Sequence, residues 1–189
     1  VVSQEQPFNA QELKIYIAEG NVEALKQHVQ RGGDFNLYFD NRTLLSYAVI
    51  ERDHEVIKYM LSNGADVNLP DKDKIWNFTP IFYAVKGKDL ATTKLLRDNG
   101  AKLDATCLPL GSTPLHFAKF TKNSDGSYGN KEMIEYLNEQ GLTETRGEPP
   151  EVKRSIPEDI RHCIAHRNHK RLRLLMKQGV DANTMIGMT

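Results

Sequence analysis

An all-α architecture built by repetition is the fold class that this 189-residue sequence predicts, and three observations predict it. A glycine-containing motif recurs at the ends of amphipathic stretches, a threonine-led hexapeptide recurs at their starts, and Asn or Gly stands two residues before each such threonine. A regular period outweighs local propensity, because stacked units bury a shared core that no single unit can bury alone.

The helix-end motif is clearest in Asn63-Gly64-Ala65-Asp66-Val67-Asn68, which returns as Asn99-Gly100-Ala101-Lys102-Leu103-Asp104. Weaker copies begin at Arg31, Gln140 and Gln178. Their glycines fall at 32, 64, 100, 141 and 179, in steps of 32, 36, 41 and 38. The last four follow apolar-periodic stretches such as Val56–Leu61, Thr92–Leu96, Met133–Leu137 and Leu172–Met176. Glycine there suits the left-handed residue that ends a helix.

The helix-start motif is complete in Thr113-Pro114-Leu115-His116-Phe117-Ala118 and degraded in Thr79–Ala84 and Thr43–Ala48. Threonine caps a helix, and proline is tolerated at the first helical position because no hydrogen bond is lost there. Asn41, Asn77 and Gly111 precede these threonines by two residues, and Gly187 precedes Thr189 likewise. Residues that tolerate positive φ at this place predict a tight hairpin turn.

Bulk composition narrows the function. Lys plus Arg equals Asp plus Glu at 25 each, so net charge draws the chain to neither nucleic acid nor an anionic membrane. No apolar run approaches the roughly 20 residues needed to span a bilayer. Two cysteines, Cys107 and Cys163, are too few for a disulfide framework and do not decide the redox compartment. The first residue is Val1, so a removed signal peptide would make the chain periplasmic or secreted, and otherwise it is cytoplasmic.

These motifs resemble the ankyrin-repeat family, over about residues 10–183. The resemblance implies an α-solenoid with short β-hairpin fingers, each repeat giving a finger, an inner helix, a turn and an outer helix. After an N-terminal extension at 1–9, repeats are expected at about 10–36, 37–68, 69–104, 105–144 and 145–183. The first lacks a finger and reads as a cap. Residues 184–189 read as the hairpin of a sixth repeat, interrupted at its threonine, so the natural protein is expected to continue. The pattern departs in three places. Glu158-Asp159-Ile160-Arg161 stands where the helix-start motif belongs, Lys122 to Gly129 is a Ser-, Asn-, Asp- and Gly-rich insertion, and Gly147 to Pro157 is a proline-containing linker.

No catalytic residues, metal ligands or cofactor are expected. The HExxH, GxSxG and P-loop patterns are absent. His116 matches the family's structural histidine, whose side chain usually braces a neighbouring loop. His162, His166 and His169 have a spacing that can bind zinc, but Cys163 occupies the place of Ala48, Ala84 and Ala118, a small buried site facing away from His166. Between Glu151 and Lys177 eight basic residues face three acidic ones, without the interleaved aromatics of a nucleic-acid surface, and a solvated face is the simpler reading.

The resemblance implies a protein partner on the concave side, at positions four, three and one before the motif threonine and seven and eight after it. In the second repeat these are Phe39, Asp40, Arg42, Ile50 and Glu51; in the third, Ile75, Trp76, Phe78, Lys86 and Gly87; in the fourth, Pro109, Leu110, Ser112, Phe120 and Thr121. The large apolar members, Phe39, Ile75, Trp76, Phe78, Leu110 and Phe120, are expected to be exposed and to mark the interface. Two readings of Trp76 stand: an interface anchor, or self-packing of the third finger, which is longer than the second and fourth. Phe120 has the nearby insertion as a potential cover. The expected function is a protein-binding module without enzymatic activity, a nucleic-acid ligand, membrane insertion or a small-molecule substrate. Irregular fingers suggest a bacterial immunity or inhibitor protein restraining a toxin or enzyme. The alternatives are the recognition arm of a larger effector or enzyme, and a self-associating scaffold.

Overall fold

A computed structural model describes residues 6–73, 76–107 and 111–142. The fifth and sixth repeats, the histidine cluster, the basic stretch, Cys163, Ile75, Pro109 and Leu110 lie outside the described residues.

Four helix pairs follow one another: α1 (Ala10–Ala18) with α2 (Val22–Gln30), α3 (Leu44–Glu51) with α4 (His54–Ser62), α5 (Pro80–Lys86) with α6 (Leu90–Asp98), and α7 (Pro114–Phe120) with α8 (Lys131–Glu139). The first helices pack in order, α1 on α3, α3 on α5 and α5 on α7, and form an inner row. Between α2 and α3, strands β1 (Tyr38–Phe39) and β2 (Arg42–Thr43) pair antiparallel, with Tyr38 opposite Thr43 and Phe39 opposite Arg42. Asp40 and Asn41 turn this hairpin with φ of 47° and 63°, and Asn77 and Gly111 also take positive φ, as expected. The fourth finger keeps a bridge between Cys107 and Ser112. The insertion makes a small hairpin of its own, with Lys122 paired to Tyr128.

Helix boundaries follow from local chemistry. Asn9 starts α1 with a capping box: its side chain accepts from the Gln11 and Glu12 N–H groups, while its own N–H donates to the Glu12 carboxylate. The outer helices are capped alike, by Asn21, Asp53, Asp89 and Asn130. Gly20, Arg52 and Lys88, with φ of 66°, 59° and 58°, turn the chain just ahead of the first three of these caps. Arg52 and Lys88 reach onward from that turn: Arg52 donates to the Gly87 carbonyl, and Lys88 to the Asn123 side chain. Thr43 and Thr113 cap their helices through the hydroxyl, but Thr79 does not. The Phe82 N–H turns to the Thr79 carbonyl at 3.0 Å instead, which leaves the buried Thr79 Oγ1 without a partner.

One continuous core runs through all four pairs, from Leu13, Ile17 and Leu25 to Met133 and Leu137. Backbone ties join successive units at the helix-end motif. The Asn36 side chain donates to the Gly64 carbonyl at 3.0 Å and accepts from the Asp66 N–H at 2.7 Å. Asn68 does the same with Gly100 and Lys102, both at 2.9 Å. An amide side chain can donate and accept at once, which is why asparagine suits this position.

The first unit solves the same packing problem differently. Ala65 and Ala101 are buried just after the terminating glycines, five residues past Met60 and Leu96. The corresponding pair in the first unit is Gly33 and His28. The buried His28 ring lies between Phe8 and Phe35, with centroids 6.4 and 5.3 Å away. Its Nε2 donates to the Asp34 carbonyl at 3.1 Å, while Nδ1 has no partner. A Cβ at position 33 would fall 2.2 Å from this ring, so glycine is required there by contact rather than by φ. Gly33→Ala is therefore expected to cost about 2 kcal/mol in urea unfolding, as overpacking does. His28→Leu in the same chain should recover most of that loss, because the pair then matches Leu96 and Ala101.

Candidate protein-interaction face

The inner row and the fingers build one surface. Each positive-φ residue between paired helices provides a register mark. Two residues before Gly20, Arg52 and Lys88 stand Ala18, Ile50 and Lys86; five before them stand Ile15, Tyr47 and Tyr83. Counted from the motif threonine, Phe120 and Phe117 of α7 hold the same two places. Two parallel rows therefore cross the inner helices: Ala18, Ile50, Lys86 and Phe120, and Ile15, Tyr47, Tyr83 and Phe117. Ile15, Ile50 and Phe120 are 46%, 42% and 47% exposed. Among the described residues four large apolar side chains are exposed, and three of them lie in these rows.

The fingers lean on the second row. Phe39 is half-buried with its edge toward the Tyr47 ring, 5.9 Å between centroids. Arg42 places its guanidinium 5.0 Å from the Tyr47 ring centroid and 5.1 Å from that of Tyr83. Arg42 Nε also donates to the Tyr83 hydroxyl at 3.2 Å, and that hydroxyl donates to Asp71 Oδ2 at 2.6 Å. Asp71 is buried in the third finger, and its Oδ1 accepts from the Thr43 N–H at 2.9 Å. Burial raises the Asp71 carboxyl above its ordinary value; the bonds from Tyr83 and Thr43 and the Arg42 charge offset part of that. Burial, and then the Asp71 carboxylate, push the Tyr83 phenol up as well. One carboxylate thus holds the third finger against the second finger and α5.

Phe78 requires a correction. The sequence reading expects it exposed, yet it is a core residue, 5% exposed. Its ring stacks on Phe82 at 5.1 Å and meets the edges of Tyr83 and Phe117 at 5.5 and 5.4 Å. The finger closes on itself through the Asp71 N–H to the Phe78 carbonyl, 2.8 Å, and this turns the side chain inward. Trp76 is half-buried beside Phe78 and Phe117, at 5.7 and 6.5 Å. It packs on its own repeat and the next one while keeping part of its surface in solvent.

Asp40 and Glu51 are exposed, and Ser112 is half-exposed in the finger bridge. Phe120 leans on the His116 ring at 4.7 Å, and the insertion does not cover it. Lys86 lies with its ammonium 4.6 Å from the Phe78 ring centroid and 5.7 Å from that of Phe117. Lost hydration there lowers its pKa; Cys107 acts against this and the Arg42 charge adds to it. Counting from the threonines finds Ile50, Lys86 and Phe120 but misses Ile15, because the first unit has no threonine motif. Spacing from Gly20 and the Asn21 cap is the signal that locates it.

The described residues offer these rows of apolar and aromatic side chains, and no group of three or more His, Cys, Asp or Glu positioned to hold a metal ion. Cys107 is buried, and burial pushes its thiol up to about 12, outside the range of a reactive thiolate. No described helix is long and apolar enough to cross a membrane.

Helix pairs stacked through a shared core, with hairpin fingers over an inner row, define a helical repeat solenoid of the interaction type. Residues 45–97 match the family model for ankyrin repeats (many copies). An ankyrin repeat protein of fowlpox virus is 36% identical over 97 residues, 51% of this chain and 14% of that protein. Serine/threonine-protein kinase 12 of Arabidopsis thaliana is 32% identical over 90 residues, 47% of this chain and 19% of the kinase. A second fowlpox virus ankyrin repeat protein is 27% identical over 164 residues, 69% of this chain and 83% of the relative. Residues 45–97 thus carry ankyrin repeats, and the chain is similar to ankyrin repeat proteins over a longer stretch. It spans less than a fifth of the first two relatives, and none of the three is bacterial. Ankyrin repeats generally mediate protein–protein interaction.

Proposed function

We propose that the chain binds a protein partner across its inner row and fingers. The observation that carries this reading is that Ile15 in one of the two inner rows, and Ile50 and Phe120 in the other, remain exposed. Burying apolar side chains stabilises a complex by about 25 cal/mol per Å², so a face that leaves such residues in water along its inner helices gains most by being covered. Arg42, Tyr47 and Tyr83 add aromatic and guanidinium surface of the kind that anchors interfaces. Restraint of a toxin or enzyme is a finer version of the same reading, and its only support is the irregularity of the fingers. A larger setting has support of another kind: two of the three relatives carry this stretch as a small part of much longer proteins, one of them named as a kinase, which favours a recognition arm.

A random peptide library displayed on phage tests the face directly. Peptides selected on the purified chain are expected to lose at least ~10-fold in affinity for a double variant, Ile50→Asp with Phe120→Asp. Circular dichroism and the unfolding midpoint should stay near wild type, since both side chains are exposed. Selected peptides that all bind the double variant as well as the wild type contradict the reading.

A further inference from the structure

Within the two inner rows, seven of the eight residues carry no charge, and the eighth, Lys86, stands near the middle. Its ammonium lies over the Phe78 and Phe117 rings, and no carboxylate among the described residues pairs with it. The neighbouring cation, Arg42, is served differently, with Asp71 Oδ2 3.9 Å from its Nε. Asp40 sits at a finger tip and Glu51 one position further along α3, and neither enters the electrostatics of Lys86. The ammonium is thus held at a defined place against two rings and keeps an exposed outer side.

Resting on the proposed binding face, we infer that the partner is an apolar protein segment that carries a carboxylate, Asp or Glu, placed to meet Lys86 between the side chains of Ile50 and Phe120. The argument is charge complementarity. A wholly apolar segment laid across the rows would bury an unpaired ammonium, which is strongly unfavourable. A basic segment would add repulsion from both Lys86 and Arg42. A carboxylate restores what the ammonium loses, and the surrounding rings exclude water from the pair, which strengthens it. Lys86 therefore acts as a specificity element within a surface whose affinity comes mostly from apolar contact.

The same displayed library supplies the test, through the composition of the peptides recovered. Peptides whose binding depends on Ile50 and Phe120 should be enriched in Asp or Glu flanked by large apolar residues. Against Lys86→Met the enrichment should vanish, against Lys86→Glu it should turn to Lys and Arg, and against Lys86→Arg it should persist. An individual acidic peptide should bind Lys86→Glu at least ~10-fold more weakly than wild type, at unchanged thermal midpoint. Inner-face peptides without acidic enrichment, or with the same enrichment against Lys86→Met, would overturn this inference and leave the binding face standing. Recovery of no peptide sensitive to Ile50 and Phe120 would overturn both.

Discussion

Phe82→Ala is expected to destabilise the chain by about 4 kcal/mol, within the range for deleting a buried aromatic ring. Phe82 is fully buried on α5, stacked on Phe78 of the third finger and edge-on to Phe117 of α7 at 5.7 Å. Its ring is therefore shared between the third and fourth units. Stability in a repeat array is a sum of unit and interface contributions, so a lesion at one interface also loosens the coupling across it. Equilibrium unfolding in urea should lose its single midpoint and show an early phase from the α7–α8 end, followed by α1–α4 at a higher concentration. Phe82→Leu, which keeps most of the volume, should cost about 1 kcal/mol and leave one transition. A single unchanged transition in Phe82→Ala would mean that the interface does not depend on this ring.

The second large effect is expected at Asp71. Removing its carboxylate in Asp71→Ala leaves the Thr43 N–H and the Tyr83 hydroxyl without their acceptor and Arg42 without its counter-charge. Buried groups deprived of partners cost more than the original bonds contributed, and about 3 kcal/mol is expected. Asp71→Asn retains an acceptor for Thr43 and should cost about 1 kcal/mol. The pH dependence has a definite sign. Burial raises the folded-state pKa above the ordinary 3.8, so between those two values the folded chain binds more protons than the unfolded one. Stability contributed by this group is therefore full below 3.8 and declines as pH rises through the raised pKa. Urea midpoints measured across that interval should fall more with rising pH in wild type than in Asp71→Asn. The opposite slope difference would show that the hydrogen bonds outweigh desolvation.

How far the fold was legible depended on whether a residue served the repeat or a departure from it. Gly64 and Gly100, both at φ of 89°, and Asn41 at 63° answer to one geometric demand, and a recurring demand leaves a recurring residue. The caps Asn21, Asp53 and Asp89 recur as plainly, yet they follow turns made by Gly20, Arg52 and Lys88, and no shared residue type marks the turn. Phe78 was misplaced for a related reason. Its position relative to Thr79 suits exposure in a finger of ordinary length, whereas the longer third finger closes through Asp71 and turns the ring inward. Thr79 fits the pattern by name and fails by bond, because the cap depends on where the Phe82 N–H points. Gly33 shows the converse: a glycine that reads as conformational is there because His28 fills its space.

The inner face was partly legible. Ile50, Lys86 and Phe120 follow from counting, and the comparison of their surroundings adds what counting lacks. Phe39 and Trp76 supply support to the surface more than free edge, through Tyr47 in one case and Phe117 in the other. Ile15 extends the band onto α1, and Lys86, whose ammonium no carboxylate among the described residues pairs with, sets its chemistry.

Methyl spectra of the isoleucine-labelled chain, recorded while a selected peptide is added, test the central claim most directly. Ile15 and Ile50 project from the inner row, Ile17, Ile57 and Ile81 are buried, and Ile134 lies on α8 away from that row. Binding across the inner face should shift the Ile15 and Ile50 methyl resonances strongly and leave Ile134 in place. Shifts centred on Ile134, with Ile15 and Ile50 unmoved, would contradict it.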